Sequence, residues 1–220
     1  MEVQLELPAC HGRGLTGSLD TAPLGCWWVN GAGIGAYFVG MPINFEVRRA
    51  ESADARDMAR AHVETWRETY RGLMSDAVLD DPALLDWREG FWDTALTHPR
   101  YEQNTVAVAS HEGTMIGIAM SGPAPNGAHE PTQLYVLYVY AAFHGSGVGT
   151  ALLASVIEPA TPAALWVAVP NPRAQAFYRK NGFVPDGSVK IEDDLREIRM
   201  VRTTGTGTIP DNGSEIYLLS

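Results

Sequence analysis

The segment that most constrains the fold is a buried strand, a glycine-rich turn and a helix in direct succession, over residues 133–157. Residues 133–140 are almost continuously apolar or aromatic, which is typical of a strand buried on both faces. The turn reads HGSGVG, from His144 to Gly149. Its glycines would let amide N–H groups at a helix N-terminus approach a pyrophosphate. The spacing fits neither the P-loop motif nor the Rossmann fingerprint.

Periodicity and turn residues divide the surrounding chain into further strands and helices. A strand at 45–50 precedes a helix that begins at Ser52 or Asp54 and ends near residue 72. A second helix is predicted over 82–98, with Pro82 in its first turn. The later predicted elements are strands 105–110 and 115–122, a helix ending at 157, a strand at 165–169, a helix at 172–181, and a hairpin of 183–190 with 197–202. This order predicts one α/β domain of the mixed α+β kind.

Composition excludes several classes of protein. The chain has 220 residues, of which 45% are hydrophobic and 19% charged, and this excludes wholesale disorder. A net charge of -10 argues against nucleic acid or an anionic membrane as partner, and is compatible with a cationic amine. The longest apolar run, residues 26–41, is too short and glycine-rich to span a membrane. The two cysteines, Cys10 and Cys26, are too few for a disulfide framework in a chain of this size. This cysteine content favours a reducing compartment and predicts a cytoplasmic location.

The two ends of the chain differ from its middle. Residues 1–44 lack periodicity, and we expect them to be an N-terminal extension that is disordered or derives from an upstream start codon, with Met41 as the alternative start. Residues 204–220 are rich in glycine and threonine and are expected to be a poorly ordered tail. The folded domain is therefore predicted to span residues 45–203.

A second motif makes the pattern specific. The sequence VAVPNPRAQAFYRKNGF, residues 167–183, begins as a strand, and Asn171 is placed to cap the helix that follows. Together with HGSGVG and the strand before it, this segment resembles the GNAT superfamily of N-acetyltransferases over residues 45–203. The resemblance implies the GNAT acyl-CoA N-acyltransferase fold, in which a mixed, mostly antiparallel sheet with splayed central strands is flanked by helices.

The resemblance also implies acetyl-CoA as the acyl donor and assigns residues to it. The pyrophosphate would lie on the amides of residues 145–150, Asn171 would hold the pantetheine arm, and Tyr178 would act as general acid toward the departing thiolate. A phenol with a pKa near 10 stays protonated at neutral pH and suits that role. The implied cofactor-binding residues are Leu137, Tyr138, Val139, His144, Gly145, Ser146, Gly147, Val148, Gly149, Thr150, Asn171, Ala174 and Tyr178.

This chain departs from the family pattern at three positions. His144 stands where Gln or Arg is usual and Ser146 where a basic residue is common, so fixed positive charge near the phosphates is reduced. Gln133 lies near the position of a frequent glutamate and cannot act as a base. The candidates for the general base are therefore Glu130, His129 or a chain of water molecules.

By the same resemblance, the acceptor is expected to be a primary amine of a small molecule or peptide that attacks acetyl-CoA directly in a ternary complex. In similar proteins the first two helices line the acceptor pocket, which makes Trp66 and Tyr70 its candidate residues here, although aromatic residues at helical spacing more often pack in the core. The alternatives are a protein N-terminal or longer-chain acyltransferase of the same fold, and a degenerate CoA-binding sensor without turnover. No metal is expected, because the six histidines show no ligand spacing. The resemblance leaves a homodimer open.

Overall fold

The computed structural model describes residues 43–124, 131–192 and 195–203, together with the backbone of residues 29–30 and 33–34. The chain divides into two compact units, Met1–Met41 and Pro42–Ser220. In the first unit, two short strands, β1 (Val29–Asn30) and β2 (Gly33–Ile34), pair antiparallel. The predicted extension and tail lie largely outside the described residues, and both stay predictions.

The described part of the second unit alternates between strands and helices much as the sequence predicts. Within the described ranges, no helix combines the length and the apolar character needed to cross a membrane. The elements are β3 (Glu46–Arg49), α1 (Ala55–Tyr70), α2 (Asp76–Leu79), α3 (Leu84–Thr97), β4 (Thr105–His111), β5 (Thr114–Gly122), β6 (Thr132–Val139), α4 (Val148–Val156), β7 (Ala163–Ala168), α5 (Pro172–Lys180), β8 (Val184–Glu192) and β9 (Leu195–Arg202).

The strands β3 to β9 form one mixed sheet in the order β3-β4-β5-β6-β7-β9-β8. The central neighbours β6 and β7 run parallel, and all other neighbouring strands in this sheet run antiparallel. The long connection between the parallel strands contains α4, as a crossover requires. The predicted mixed, mostly antiparallel sheet is confirmed.

The helices cover both faces of this sheet. Side chains alternate between faces along a strand, and on β4 Val106 and Val108 join one core cluster whereas Ala107 and Ala109 join the other. The first cluster includes Met58 of α1 together with side chains of α3, and the second includes α4 and α5. The domain therefore has three layers, with α1 and α3 on one face and α4 and α5 on the other.

The start of α1 agrees with the sequence pattern. A 3-10 turn, Ser52–Asp54, leads into the helix, and Asp54 occupies the N-cap position. Its carboxylate accepts hydrogen bonds of 2.7 Å from the amide N–H of Glu51 and from Nη1 and Nη2 of Arg48. The hydrogen bonds to Arg48 and Glu51 lower the pKa of this carboxyl, so it stays ionised.

The region between α1 and α3 differs from the prediction. The predicted second helix begins at Leu84 rather than Pro82, because the Asp81 carboxylate accepts the Ala83 amide at 2.8 Å and closes a turn first. The four-residue helix α2 was not predicted, since one turn is too short to produce a periodic pattern. These differences move the start of α3 by two residues and leave the layer order unchanged.

Candidate active site

The centre of the sheet opens where β6 and β7 stop pairing. Their register pairs end at Leu134 and Leu165. From there to Val139, β6 keeps β5 as its partner on one edge, and its other edge faces a cleft of about 1000 Å³. The predicted splayed central strands are confirmed. Backbone N–H and C=O groups on that edge need a partner, and a ligand in the cleft can supply one.

A β-bulge at Tyr135 marks the point of separation. Met120 of β5 pairs with Val136, and the next residue of β5, Ser121, pairs with Leu134, so Tyr135 is the extra residue of β6. The Tyr135 hydroxyl donates a hydrogen bond of 2.6 Å to the carbonyl of Pro123. A bulge bends its strand and increases the local twist, which turns β6 away from β7.

The glycine turn lies at the end of β6 and leads into α4. Gly145 and Gly147 have φ angles of +83° and +94°, a conformation that glycine adopts without strain, and both line the cleft. Gly147 is the N-cap of α4, and Gly149 and Thr150 in its first turn also line the cleft. The N–H groups of a first helical turn have no partner within the helix. The turn is therefore suited to an anion such as a pyrophosphate.

The two unusual residues of the turn stabilise its backbone. The Nε2 of His144 lies 2.8 Å from the carbonyl oxygen of Val139, and because a carbonyl only accepts, Nε2 carries the proton and donates. The Ser146 hydroxyl donates to the carbonyl of Phe143 at 2.7 Å. These side chains fix the path of the chain from β6 into α4, so they contribute to the shape of the turn.

The helix α5 supplies a second group of residues to the cleft. The Oδ1 of Asn171 accepts the amide N–H of Ala174 at 3.0 Å, which confirms the predicted N-cap. Tyr178 in the middle of α5 is 8% exposed and packs against Phe177 and Phe183, with ring centroids 5.2 and 5.8 Å apart. Burial raises the pKa of Tyr178 well above its ordinary value, so the phenol stays protonated and can donate.

Three of the tyrosines that line the cleft lie near one another and near one glutamate. Tyr70, Tyr138, Tyr178 and Glu197 all line it. Burial raises the pKa of Tyr70, and Tyr138, Glu197 and Tyr178 add smaller contributions in the same direction. Burial also raises the pKa of Tyr138, against the opposing effect of Trp66, Arg88 and Tyr70. These tyrosines are therefore neutral hydrogen-bond donors around one ionisable carboxyl group.

The cleft is richer in positive charge than the chain as a whole. Among the described residues that line it, two are acidic, Glu68 and Glu197, and four are basic: Arg173, Lys180, Lys190 and Arg199. Glu197 forms an ion pair of 2.9 Å with Lys190. Arg173 and Lys180 lie at opposite ends of α5. They can supply the fixed positive charge that the glycine turn lacks.

Hydrogen bonds attach α1 to the chain that follows β6. The Tyr140 hydroxyl donates to Glu64 at 2.6 Å, and the Ala141 amide donates to Glu68 at 2.9 Å. Because Glu68 lines the cleft, these bonds fix α1 as one of its walls.

Most of the predicted cofactor-binding residues meet in this cleft, and so does Tyr70. Ser146 and Val148 belong to the turn without lining the cleft, and Trp66 lies next to Tyr70, with ring centroids 6.0 Å apart. Glu130 and His129 lie outside the described residues. Within the described ranges, no group of three or more potential metal ligands comes together. The predicted residues that line the cleft are Leu137, Tyr138, Val139, His144, Gly145, Gly147, Gly149, Thr150, Asn171, Ala174 and Tyr178.

The sequence interpretation missed the acidic and basic residues contributed by β8 and β9. Glu197 pairs with Ala168 of β7, beyond the point where β6 has separated, and this register places it in the cleft. The only signal in the sequence is a charged residue within the strand pattern of LREIRM, and it does not indicate which face or neighbour the residue meets.

Comparison with protein families agrees with this geometry. The acetyltransferase (GNAT) family matches residues 58–183, more than half of the chain. The chain belongs to the GNAT acetyltransferase family. The resemblance recognised in the glycine turn and in the segment around Tyr178 is therefore confirmed.

Individual relatives point the same way. A Mycobacterium tuberculosis protein named as a probable N-acetyltransferase is 30% identical over 152 residues, covering 66% of this chain and 83% of that protein. A Bacillus subtilis protein named as an uncharacterized N-acetyltransferase is 25% identical over 167 residues, covering 73% of this chain and 90% of that protein. These relatives support acyltransferase activity for this GNAT protein.

A solved structure shares the fold. The PaiA N-acetyltransferase from Thermoplasma acidophilum, in complex with coenzyme A, superposes with a TM-score of 0.59 at 17% identity and covers 73% of this chain and 99% of its own. At this level of identity, the likeness shows a common fold. The GNAT fold predicted from the two motifs is confirmed.

Proposed function

We propose that this GNAT protein transfers the acetyl group of acetyl-CoA to a primary amine of a small molecule or peptide, by direct attack in a ternary complex. The observation that carries the proposal is the cleft between β6 and β7, which joins the glycine turn at 145–150 to the phenol of Tyr178. The proposed location is the cytoplasm, on the grounds of the cysteine content.

The described residues fit an acyl-CoA in chemical type. The N–H groups of the turn and the α4 dipole suit its pyrophosphate, and Arg173 and Lys180 add positive charge from α5. The open edge of β6 at residues 137–139 offers peptide groups to the pantetheine and to the acetyl carbonyl. Asn171 lies in the same wall, at the start of α5.

The proposed reaction balances as follows. The acceptor ammonium first loses a proton, and the neutral nitrogen attacks the carbonyl carbon of the thioester. A C–N bond forms, the C–S bond breaks, and the departing sulfur takes a proton from the Tyr178 hydroxyl. The nitrogen loses its second proton, and the phenol is reprotonated. The net products are an N-acetylated amine, free CoA thiol and one proton.

The base that removes the first proton has two kinds of candidate. Glu130 stays a prediction from the sequence. Glu197 is the stronger candidate among the described residues, because its carboxylate lines the cleft together with Tyr138 and Tyr178. The same carboxylate, with Glu68, would favour a cationic acceptor.

Two measurements test the proposal. Calorimetry should show binding of acetyl-CoA at a single site, and no binding at millimolar concentration would contradict it. A thiol-release assay with polyamines, aminoglycosides, amino acids and peptides should then identify an acceptor. Faster turnover with a longer acyl-CoA would favour the longer-chain alternative. Tight binding without transfer to any amine would favour the sensor alternative.

A further inference from the structure

A group of buried nitrogen atoms without partners lies beside the cleft. In the described part of the chain, five buried side-chain atoms lack a hydrogen-bond partner, and all are nitrogens of four residues: His62, Trp66, Arg88 and Trp92. Unpaired buried polar groups are uncommon in native proteins, and each calls for an explanation. Here they are concentrated in one place, on the facing surfaces of α1 and α3.

Contacts connect the four residues in a chain, in the order Arg88, Trp66, His62 and Trp92. The Arg88 guanidinium carbon lies 4.2 Å from the centroid of the Trp66 ring. The His62 ring lies 5.0 Å from Trp66 and 5.8 Å from Trp92, between centroids. It also lies 4.9 Å from the ring of Tyr138, which lines the cleft. The cluster and the cleft therefore share Tyr138 as a common wall.

The cluster is made mainly of hydrogen-bond donors, and its one acceptor is the unprotonated ring nitrogen of a neutral His62. The indole N–H and the guanidinium group can only donate. His62 is 3% exposed, and burial, with Arg88 as a second cause, lowers its pKa well below the ordinary value, so it is neutral. The group that would satisfy such a cluster is an acceptor, and a carboxylate matches the planar fork of an arginine.

Arg88 itself has an unusual environment. It is half-buried, and burial lowers its pKa. Among the described residues, no carboxylate lies within 4.0 Å of its guanidinium. A partly desolvated cation without an anion is costly, so a site of this kind gains from an anionic ligand.

We propose that Arg88 binds a carboxylate of the acceptor, so that the substrate is an amino acid or a related compound that carries both an amine and a carboxylate. This inference rests on the proposed function, since it places the amine near Tyr178 and Glu197. The Trp66 ring lies against the Arg88 guanidinium, 4.2 Å from its carbon to the ring centroid, and holds it in position. Tyr138, between the cluster and the cleft, would contact the middle of the bound acceptor.

The test compares matched acceptors and matched variants. The twenty L-amino acids are assayed for acetyl transfer as free acids and as their C-terminal amides, with spermidine as an amine without a carboxylate. Wild type is compared with Arg88→Gln, Arg88→Lys and the control Arg56→Gln, which changes an exposed arginine on α1. Thermal unfolding of each variant verifies folding, and Arg88→Lys retains a cation if Arg88→Gln does not fold.

For at least one amino acid, we expect kcat/KM for the free acid to be at least tenfold higher than kcat/KM for its C-terminal amide. A tenfold difference corresponds to about 1.4 kcal/mol. Arg88→Gln should raise KM for that acid about tenfold and leave its amide within twofold. Arg88→Lys should retain part of the preference, and Arg56→Gln all of it. A merely structural role for Arg88 would lower the rates of acid and amide equally and would overturn the inference.

The remaining outcomes separate this inference from the proposed function. Equal rates for acids and amides in the wild type would overturn the carboxylate site and leave acetyl transfer standing. Acetylation of spermidine with no transfer to any amino acid would also overturn the carboxylate site and leave acetyl transfer standing. Absence of transfer to every amine tested, despite binding of acetyl-CoA, would overturn both.

Discussion

Leu134 and Leu165 are register partners in the two parallel strands, and they are the last pair before β6 and β7 separate. The bulge at Tyr135 follows at once on β6, so the strand bends at the residue where pairing ends. The end of one short ladder therefore creates both the volume of the cleft and the open backbone edge at residues 135–139. The cleft is therefore a consequence of this local change in strand direction.

Replacing Tyr178 by phenylalanine removes the proposed proton donor and keeps the ring. We expect Tyr178→Phe to lower kcat by about 100-fold, the lower end of the range for general acid–base catalysis. The Kd for acetyl-CoA should stay within about threefold, because the lost hydroxyl acts in proton transfer. Thiol-release kinetics measure kcat, and calorimetry measures the Kd for acetyl-CoA.

A control and a pH profile make this prediction specific. Tyr101→Phe removes a hydroxyl outside the cleft and should leave kcat unchanged. Because burial raises the pKa of Tyr178 above its ordinary value, wild-type kcat should not decline up to about pH 10, the ordinary pKa of a phenol. Full activity of Tyr178→Phe on a genuine acceptor would show that another group protonates the thiolate.

Replacing Gly147 by alanine tests the glycine turn. Its φ of +94° strains any residue with a Cβ by about 1–2 kcal/mol, so the turn should distort and the Kd for acetyl-CoA should rise about tenfold. Gly113, in the β4–β5 hairpin with a φ of +77°, is the matched control. Gly113→Ala should lower the melting temperature similarly and leave the Kd unchanged. An equal effect of both variants on the Kd would argue against an anion site at the turn.

The sequence predicts the local features of this protein well because they are encoded locally. The turn before α4 needs residues that adopt positive φ, and Gly145 and Gly147 supply them. The capping of α5 by Asn171 follows from the same short-range chemistry. The segments that carry the family resemblance are of this kind, which is why the fold could be inferred from two short stretches of the chain.

Features that depend on strand register or on packing between elements could not be predicted. Glu197 enters the cleft because β9 pairs with β7 in a particular register, and a shift by one residue would turn it to the other face. Arg88 and Trp66 meet only because α1 packs against α3. The bulge at Tyr135 has no glycine or proline to signal it. Sequence periodicity indicates which residues are buried and does not identify their neighbours.

Replacing Glu197 by glutamine tests the proposed base. The amide cannot accept the acceptor's proton, and we expect kcat/KM to fall about 100-fold with little change in the Kd for acetyl-CoA. Glu46→Gln, on the edge strand β3, is the control and should have no effect. If the ion pair with Lys190 were the reason for a loss, Lys190→Gln would cause the same loss. Higher pH should partly restore Glu197→Gln, because more of the amine is then already neutral.

The buried His62 predicts how stability depends on pH. Its pKa is lowered well below the ordinary value, mainly by burial and then by Arg88, so the unfolded chain binds a proton that the folded chain does not. The free energy of unfolding should therefore be unaffected above about pH 6.5, and should fall below it by up to about 1.4 kcal/mol per pH unit until the folded pKa is reached.

Replacing His62 by leucine should flatten that dependence. His62→Leu removes both unpaired ring nitrogens and keeps an apolar side chain between Trp66, Trp92 and Tyr138, so stability at pH 7.5 should be retained or increased. Urea unfolding at pH 7.5, 6.5 and 5.5 measures the effect, with the exposed His98→Gln as control. Asp54, whose pKa is lowered by Arg48, titrates below this window and does not interfere. A wild-type slope that persists in His62→Leu would mean that a group other than His62 takes up the proton.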